Sequence, residues 1–185
     1  MNVYDFDNTI YDGYSFIDFM IFCITKNKNI FWYYLSDVES FLKLKFTPNN
    51  KVCLKSYANF LKNLDNIDNL LDEFREKTKD KVKCWYKNIC VKSDVIITAS
   101  PEFFVKYLME DYDVRKIYGS KIDKKTGTLD GAICYNKEKY NRFLEEEGNV
   151  CYNFYTDNLK SDEYMALNAE NVYLVRQKVI KHIDF

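Results

Sequence analysis

The chain changes between short apolar runs with strand character and longer segments with helical periodicity. The first run, residues 2–4, is apolar and β-prone, and it is too short for anything except a buried strand that enters a turn. From residue 15 to about residue 92 the apolar positions recur at helical spacing instead. A long helical segment therefore interrupts a chain that begins with a strand.

After this segment the pattern returns to strands separated by helices, which predicts a Rossmann-like α/β fold with a parallel sheet and helices on both faces. Ser100 suits the N-cap and Pro101 the first position of the helix that follows. A turn at 126–131 leads into a short run at 132–134. The predicted strands are 94–98, 116–122, 150–155 and 171–175, and the predicted helices are 102–111 and 137–147.

The two patterns divide the chain into a predicted core and a predicted insertion. We expect residues 1–12 and 93–185 to form the α/β core domain, and residues 13–92 to form an all-helical cap domain inserted into it. Breaks at 47–50 and 64–66 indicate turns between helices of the cap. With 47% hydrophobic residues, the chain has enough apolar material for a substantial core.

Charge and cysteine content exclude several classes of protein. A formal net charge of −1 argues against a nucleic-acid binder held by phosphate neutralisation. No two cysteines are spaced as Cys-x-x-Cys, which argues against zinc and thioredoxin-like sites. The predicted strand at residue 2 leaves no room for a signal peptide, so we expect a reduced, cytoplasmic setting. The cysteines are Cys23, Cys53, Cys84, Cys90, Cys134 and Cys151.

Two apolar runs require a membrane check. Asp18 interrupts the run at 14–25, and residues 26–29 separate it from the run at 30–35. Neither approaches the roughly 20 apolar residues of a spanning helix, so we expect no stable membrane insertion. His182, the single histidine, has no histidine partner and is expected at the surface.

Polar residues follow three of the predicted strands, where a parallel sheet places its ligands. Two carboxylates only two residues apart repel each other, so such a pair usually serves a cation, a shared proton or a reaction. The paired groups are Asp5 and Asp7 after the first strand, Thr98 and Ser100 after the second, and Asp157 and Asp162 after the third core strand.

Four motifs in this order resemble the haloacid dehalogenase superfamily. They are Asp-x-Asp-x-Thr at 5–9, Ile-Ile-Thr-Ala-Ser-Pro at 96–101, a lysine, and Tyr-Thr-Asp-Asn-x-x-x-Asp at 155–162. The helical insertion between the first two motifs resembles subfamily IB, which contains phosphoserine phosphatase. The resemblance spans residues 2 to about 175 and implies a phosphatase that hydrolyses a small-molecule phosphomonoester.

The resemblance also implies a role for each motif residue. Asp5 attacks phosphorus and forms an aspartyl phosphate, and Asp7 is the general acid and then the general base. Mg²⁺ binds the Asp5 carboxylate, the Asp7 backbone carbonyl and Asp157, and Asp162 orients this metal site. Thr98 donates its hydroxyl to a phosphoryl oxygen.

The phosphate cradle is completed by backbone N–H groups that follow Ser100 and by a lysine. Lys137 and Lys139 both have a suitable position before the strand that ends in Asp157. Lys139 fits the family pattern better, because it lies three residues before Arg142.

The chain departs from phosphoserine phosphatases at one position. These enzymes carry an acid nine residues after the nucleophile, and Tyr14 occupies that place here, which argues against phosphoserine as the substrate. Tyr14 and the aromatic residues at 16–34 either line a pocket for an apolar or aromatic phosphate ester, or pack the cap's own helices.

A lipid-phosphate phosphatase at a membrane surface and a non-catalytic phosphate-binding relative stay open as alternatives. The sequence leaves the oligomeric state open.

Overall fold

The computed structural model describes residues 1–33, 35, 58–148, 151–176 and 179–183. The predicted turn at 47–50, Tyr34 and Cys53 lie outside these ranges. The strands are β1 (Asn2–Tyr4), β2 (Val95–Pro101), β3 (Lys116–Ser120), β4 (Asn153–Thr156), β5 (Asn171–Arg176) and β6 (Val179–Ile183). The α-helices are α1 (Ser15–Lys26), α2 (Ile67–Thr78), α3 (Cys84–Ile89), α4 (Glu102–Leu108), α5 (Lys137–Glu147) and α6 (Glu163–Leu167). Short 3₁₀ helices lie at Lys28–Ile30, Asn59–Asn63 and Lys79–Lys81.

The strands form one six-stranded sheet in the order β3-β2-β1-β4-β5-β6. Strands β1 to β5 are parallel, and β6 pairs antiparallel with β5. The chain moves outward from β1 through β2 to β3, and then returns to the other side of β1 to form β4. The order therefore reverses beside β1, and such a reversal opens a crevice at the carboxyl ends of the two strands that flank it.

Helices cover both faces of the sheet, which confirms the predicted Rossmann-like α/β class. Val3, Val95 and Ile97 face one side, where α5 and α6 pack, whereas Tyr4 and Ile96 face the other side, where α1 to α4 pack. This alternation follows from the two-residue period of a strand.

The described part of the insertion shares an apolar cluster with the sheet. Phe16 and Phe19 of α1 lie 5.3 and 5.2 Å from the ring of Phe104 in α4, and Phe74 of α2 joins the same group. Three of the aromatic residues that the sequence offered for a pocket, Phe16, Phe19 and Phe22, are therefore core side chains. The exact domain boundary at residues 12 and 92 stays a prediction.

An aromatic ladder crosses four neighbouring strands on the face that carries the insertion. Tyr4, Tyr155 and Tyr173 lie opposite one another, with ring centroids 4.6 and 4.7 Å apart, and His182 of β6 follows at 5.3 Å. The sequence pattern does not indicate β6, because four of its five residues are exposed and polar residues interrupt its apolar run. Pairing with β5 forms this strand. His182 is exposed, as predicted.

The start of α4 differs from the prediction. Pro101 ends β2 instead of beginning the helix, which starts at Glu102 and stops at Leu108. The Ser100 hydroxyl does not cap the helix, because it donates a hydrogen bond to Asp7 at 2.6 Å.

Residues 132–134 form no strand, although the predicted turn before them suggested one. Their backbone groups bond to side chains instead, since Arg142 donates to the Ala132 carbonyl at 2.6 Å and the Cys134 N–H donates to the Ser120 hydroxyl at 3.0 Å. Two other strands are shifted: β3 stops at residue 120, and β4 begins at residue 153. Among the residues that the structure describes, no helix has the length and apolarity to span a bilayer.

Two glycines in the 121–131 hairpin allow a matched test of this packing. Gly127 and Gly131 have φ angles of +70° and +79°, but an added Cβ would lie 1.9 Å from the Ala58 carbonyl oxygen at Gly127 and would meet nothing within 4 Å at Gly131. We expect Gly131→Ala to cost about 1 kcal/mol of unfolding free energy through backbone strain alone. Gly127→Ala should cost at least about 2 kcal/mol more, because the backbone must also move. Urea denaturation of both variants measures the difference, and equal losses would contradict the packing of this hairpin on Ala58.

Candidate active site

The carboxyl ends of β1 and β4 bring the first and last motifs together. Asp5 directly follows β1, and its N–H donates to the Tyr155 carbonyl at 2.9 Å, so it continues the pairing of the two strands. Asp157 directly follows β4. Burial is the main cause that raises the pKa of Asp5, and the charges of Asp162 and Asp157 raise it further.

A buried lysine joins Asp5 to a second acid. The Lys139 Nζ lies 2.6 Å from Asp5 Oδ1 and 2.7 Å from Asp162 Oδ1, and the Lys139 side chain is only 3% exposed. Burial by itself lowers the pKa of Lys139, but the carboxylates of Asp162 and Asp5 outweigh it, and the net pKa is raised. Lys139 is therefore a fixed cation between the two carboxylates.

The other candidate lysine lies elsewhere. The Lys137 Nζ lies over the ring of Tyr164, 5.7 Å from its centroid. Two residues on a helix differ by about 200° in direction, so only one of the two lysines can face the sheet. The structure brings Lys139 to the site and leaves Lys137 outside it.

Two threonine hydroxyls that the sequence analysis did not select hold the acids in place. Thr9 donates to Asp5 Oδ2 at 3.2 Å and accepts from the Asp157 N–H at 2.8 Å, so one hydroxyl links the loops after β1 and β4. Thr156 donates to Asp162 Oδ2 at 2.6 Å. Both residues lie within the motifs, and their position beside the acids was the available signal.

Asp7 lies in a different environment from Asp5. Its carboxylate accepts from the Ser15 N–H and from the Ser100 hydroxyl, both at 2.6 Å. Burial raises the pKa of Asp7, although these hydrogen bonds oppose the rise. Burial also raises the pKa of Asp5, against the opposing charge of Lys139. The two acids therefore differ in their partners: Asp5 is paired with a cation, and Asp7 is held by neutral donors.

Thr98 and Ser100 lie beside Asp7 at the end of β2. Both side chains are buried, and the Ser100 N–H donates to the Thr98 hydroxyl oxygen at 3.1 Å. The Thr98 hydroxyl therefore keeps its own hydrogen free for an acceptor in the site. The Ser100 hydroxyl donates its hydrogen bond to Asp7, so the side chain of Ser100 serves that acid.

The donor set around Asp5 has the chemistry that Mg²⁺ requires. Within the described ranges, the Asp157 carboxylate forms no ion pair, and burial followed by the charge of Asp162 raises its pKa. A half-buried carboxylate of this kind, near that of Asp5, is suited to a hard cation. Asp162 binds Lys139 through one carboxylate oxygen and Thr156 through the other, so it holds these two residues in place. In the described part of the chain, no three His, Cys, Asp or Glu side chains surround a common point.

Tyr14 lies at the entrance of α1, next to the Ser15 N–H that binds Asp7. Its side chain is 51% exposed. Tyr14 is thus near the predicted acid but does not contact the ion-paired group formed by Asp5, Lys139 and Asp162.

No family model matches the chain, and no curated protein matches it. Among solved structures, the chain is similar to a protein of unknown function from Bordetella pertussis Tohama I, with a TM-score of 0.68 at 12% sequence identity. The match covers 90% of this chain and 85% of that one. At this identity the likeness shows the α/β fold alone, and the resemblance to the haloacid dehalogenase superfamily stays a prediction.

The two lysines of α5 give a matched test of the buried ion pairs. We expect Lys139→Met to cost about 3–5 kcal/mol of unfolding free energy at pH 8, because two buried carboxylates lose their cation. Lys137→Met should change it by less than about 0.5 kcal/mol.

The loss in Lys139→Met should shrink as the pH falls. Without Lys139, the pKa of Asp5 in the folded protein lies even further above its value in the unfolded chain. The variant is therefore most stable at a pH below the unfolded-state pKa of Asp5, and it loses stability as the pH rises through the folded-state pKa. Urea denaturation at pH 5 and pH 8 measures both effects. A loss that does not depend on pH would contradict the ion-pair assignment.

Proposed function

We propose that this protein is a Mg²⁺-dependent phosphatase of the haloacid dehalogenase type, which hydrolyses a small-molecule phosphomonoester through an aspartyl phosphate. The observation that carries the proposal is the contrast between Asp5 and Asp7. Burial raises the pKa of both acids, but Asp5 is paired with the Lys139 ammonium at 2.6 Å, whereas Asp7 accepts hydrogen bonds from neutral donors. Two acids in such different environments suit a nucleophile and a proton donor.

In the first step, a carboxylate oxygen of Asp5 attacks phosphorus. The bond between phosphorus and the ester oxygen breaks, and the departing alkoxide takes the proton of Asp7. The Ser100 hydroxyl can accept a hydrogen bond as well as donate one, so the same 2.6 Å contact serves both protonation states of Asp7. Lys139 and the Thr98 hydroxyl bind phosphoryl oxygens.

In the second step, the Asp7 carboxylate takes a proton from water, and the water oxygen attacks phosphorus. The bond between phosphorus and Asp5 breaks, which releases inorganic phosphate and restores the starting protonation of both acids. Thr9 keeps Asp5 in place throughout, because it is itself fixed by the Asp157 N–H.

The Asp5 and Asp157 carboxylates and the Asp7 backbone carbonyl would hold the metal, and Asp162 would act on it through Lys139 and Thr156. A bound Mg²⁺ supplies positive charge that keeps Asp5 ionised and offsets the charge of the phosphoryl oxygens.

The substrate class follows from the surroundings of the site. Tyr14 occupies the sequence position at which phosphoserine phosphatases carry the acid for the substrate's ammonium group, which argues against phosphoserine as the substrate. The net charge of −1 disfavours a nucleic-acid substrate. The cysteines that the structure describes are all free thiols, which suits a reducing compartment such as the cytoplasm.

A lipid phosphate at a membrane surface is the second candidate substrate. Trp32 is 74% exposed and lies in the same insertion as Tyr14, and exposed aromatic side chains of this kind can enter a membrane interface. Hydrolysis of soluble and micellar esters, together with liposome sedimentation, separates the two candidates. A strong preference for micellar substrate with sedimentation of the protein would favour the lipid.

The assignment of the nucleophile is tested by Asp5→Asn. The wild-type chain should release phosphate from an aryl phosphate in the presence of Mg²⁺, and Asp5→Asn should abolish this release, because the amide keeps the shape but lacks the nucleophilic charge. Colorimetric assay of phosphate gives the rate, and Asp130→Asn, at an exposed acid outside the motifs, is the control. Wild-type turnover by Asp5→Asn would contradict the covalent mechanism, and no turnover by the wild type on a broad panel of esters would favour a non-catalytic phosphate binder.

The role of Asp7 is tested by Asp7→Asn. We expect Mg²⁺ to bind this variant, since the backbone carbonyl remains, and turnover to fall by roughly 10²- to 10⁴-fold through loss of proton transfer. An aryl ester with a good leaving group should be slowed less in the first step than an alkyl ester, and the aspartyl phosphate should accumulate. Rapid-quench trapping with radiolabelled substrate measures this accumulation. Equal slowing of both esters without phosphoenzyme would contradict the role of Asp7.

A further inference from the structure

A second lysine, Lys83, lies near the candidate site, in a segment of the insertion that pairs with the chain after Asp7. The segments at 10–12 and 81–83 pair with each other: the Asp12 N–H donates to the Lys81 carbonyl and the Lys83 N–H to the Ile10 carbonyl, both at 2.8 Å. Tyr11 and Val82 form an antiparallel bridge between them. This pairing fixes the backbone of Lys83 beside the loop that carries Asp7.

The side chain of Lys83 continues this contact toward the acids. Its Nζ donates a hydrogen bond to the backbone carbonyl of Asn8, the residue that follows Asp7. Asn8 has a φ angle of +59°, in the left-handed region that asparagine adopts more readily than most other residues, as is usual in a tight turn. The Asn8 N–H donates to the Gly13 carbonyl at 3.0 Å, so both backbone groups of this turn are held.

The charges around Lys83 are those of the candidate site. The carboxylates that act on its half-buried ammonium are Asp12, Asp157 and Asp5. Lys139 is ion-paired with Asp5 and Asp162, and its charge, followed by that of Lys83, also acts on Asp157. Lys83 therefore adds a second positive charge beside the acids that Lys139 already serves.

We propose that Lys83 supplies a second positive charge for a dianionic phosphate in the phosphatase site, and that its hydrogen bond to the Asn8 carbonyl fixes the ammonium beside the loop of Asp7. The inference rests on the proposed function in taking phosphate as the anion. The candidate site is otherwise built from residues at strand ends and in α5, and Lys83 adds a residue from the segment at 81–83.

The proposal predicts opposite effects on two ions. A positive charge near Asp5 and Asp157 attracts phosphate and repels Mg²⁺, so its removal should weaken the binding of phosphate and strengthen that of the metal. A purely structural role, through the turn at Asn8, would weaken the binding of both, because the whole loop would move.

Lys83→Met tests this, with Lys83→Arg as the variant that keeps the charge. Lys87→Met is the matched control: Lys87 lies one helical turn later and also donates to a backbone carbonyl, that of Lys79 at 2.9 Å, but away from the acids. Calorimetric titration measures the Kd for Mg²⁺ alone and then the Kd for inorganic phosphate at saturating Mg²⁺. If Lys83→Met does not fold, Lys83→Gln carries the same measurement, since its amide can still donate to Asn8.

We expect Lys83→Met to raise the Kd for phosphate by about tenfold and to lower the Kd for Mg²⁺ by about threefold. Lys83→Arg and Lys87→Met should keep both Kd values within about twofold of the wild type. An unchanged Kd for phosphate, or parallel weakening of both ions, would overturn the proposal.

The same titrations separate this inference from the proposed function. A wild-type chain that binds both ions with the expected Lys83 effect but hydrolyses no ester would support the inference and refute the phosphatase. A wild type that turns over while Lys83→Met binds phosphate normally would refute the inference alone, and a wild type that binds neither ion would overturn both.

Discussion

The Lys139 ammonium, buried between the carboxylates of Asp5 and Asp162, is the interaction on which the site depends. An ammonium this far from water is tolerated only when its charge is compensated, and here two acids from different strand ends supply that compensation. The same contacts fix α5 against the carboxyl ends of β1 and β4, because Lys139 belongs to the helix and the acids to the loops. One ion-paired group therefore sets both the charge of the site and the packing of three elements.

Topology explains why these groups meet at all. The strand order reverses beside β1, so the loops after β1 and β4 leave the sheet side by side, and the Thr9 hydroxyl bridges them. Ser100 then links the end of β2 to Asp7. Acids that are about 150 residues apart along the chain become neighbours because the parallel sheet places all its carboxyl ends at one edge.

Much of this arrangement was predictable from the sequence, and the rest depended on partners that are distant along the chain. The strand before Asp5, the helix from residue 137 and the acids at strand ends all have local signals, namely apolar runs, turn residues and spacing. The strand β6 has no such signal, because its exposed residues are ordered only by pairing with β5. Ser100 was predicted as an N-cap because the sequence alone does not show that its hydroxyl donates to the Asp7 carboxylate, 93 residues away along the chain. The position of Lys83 near the acids was likewise not predictable, since nothing in the local sequence distinguishes it from the neighbouring lysines.

The aromatic side chains of the insertion fall into two groups, one buried and one exposed. Phe16 and Phe19 bury their rings against Phe104, so they stabilise the fold and are not available to a substrate. Tyr14 and Trp32 are exposed and make no such contribution to the core. Side chains of the second kind are accessible, and Tyr14 directly precedes Ser15, whose N–H donates to Asp7. Under the proposed function, we therefore expect substrate selectivity in the described part of the insertion to depend on Tyr14 at the start of α1.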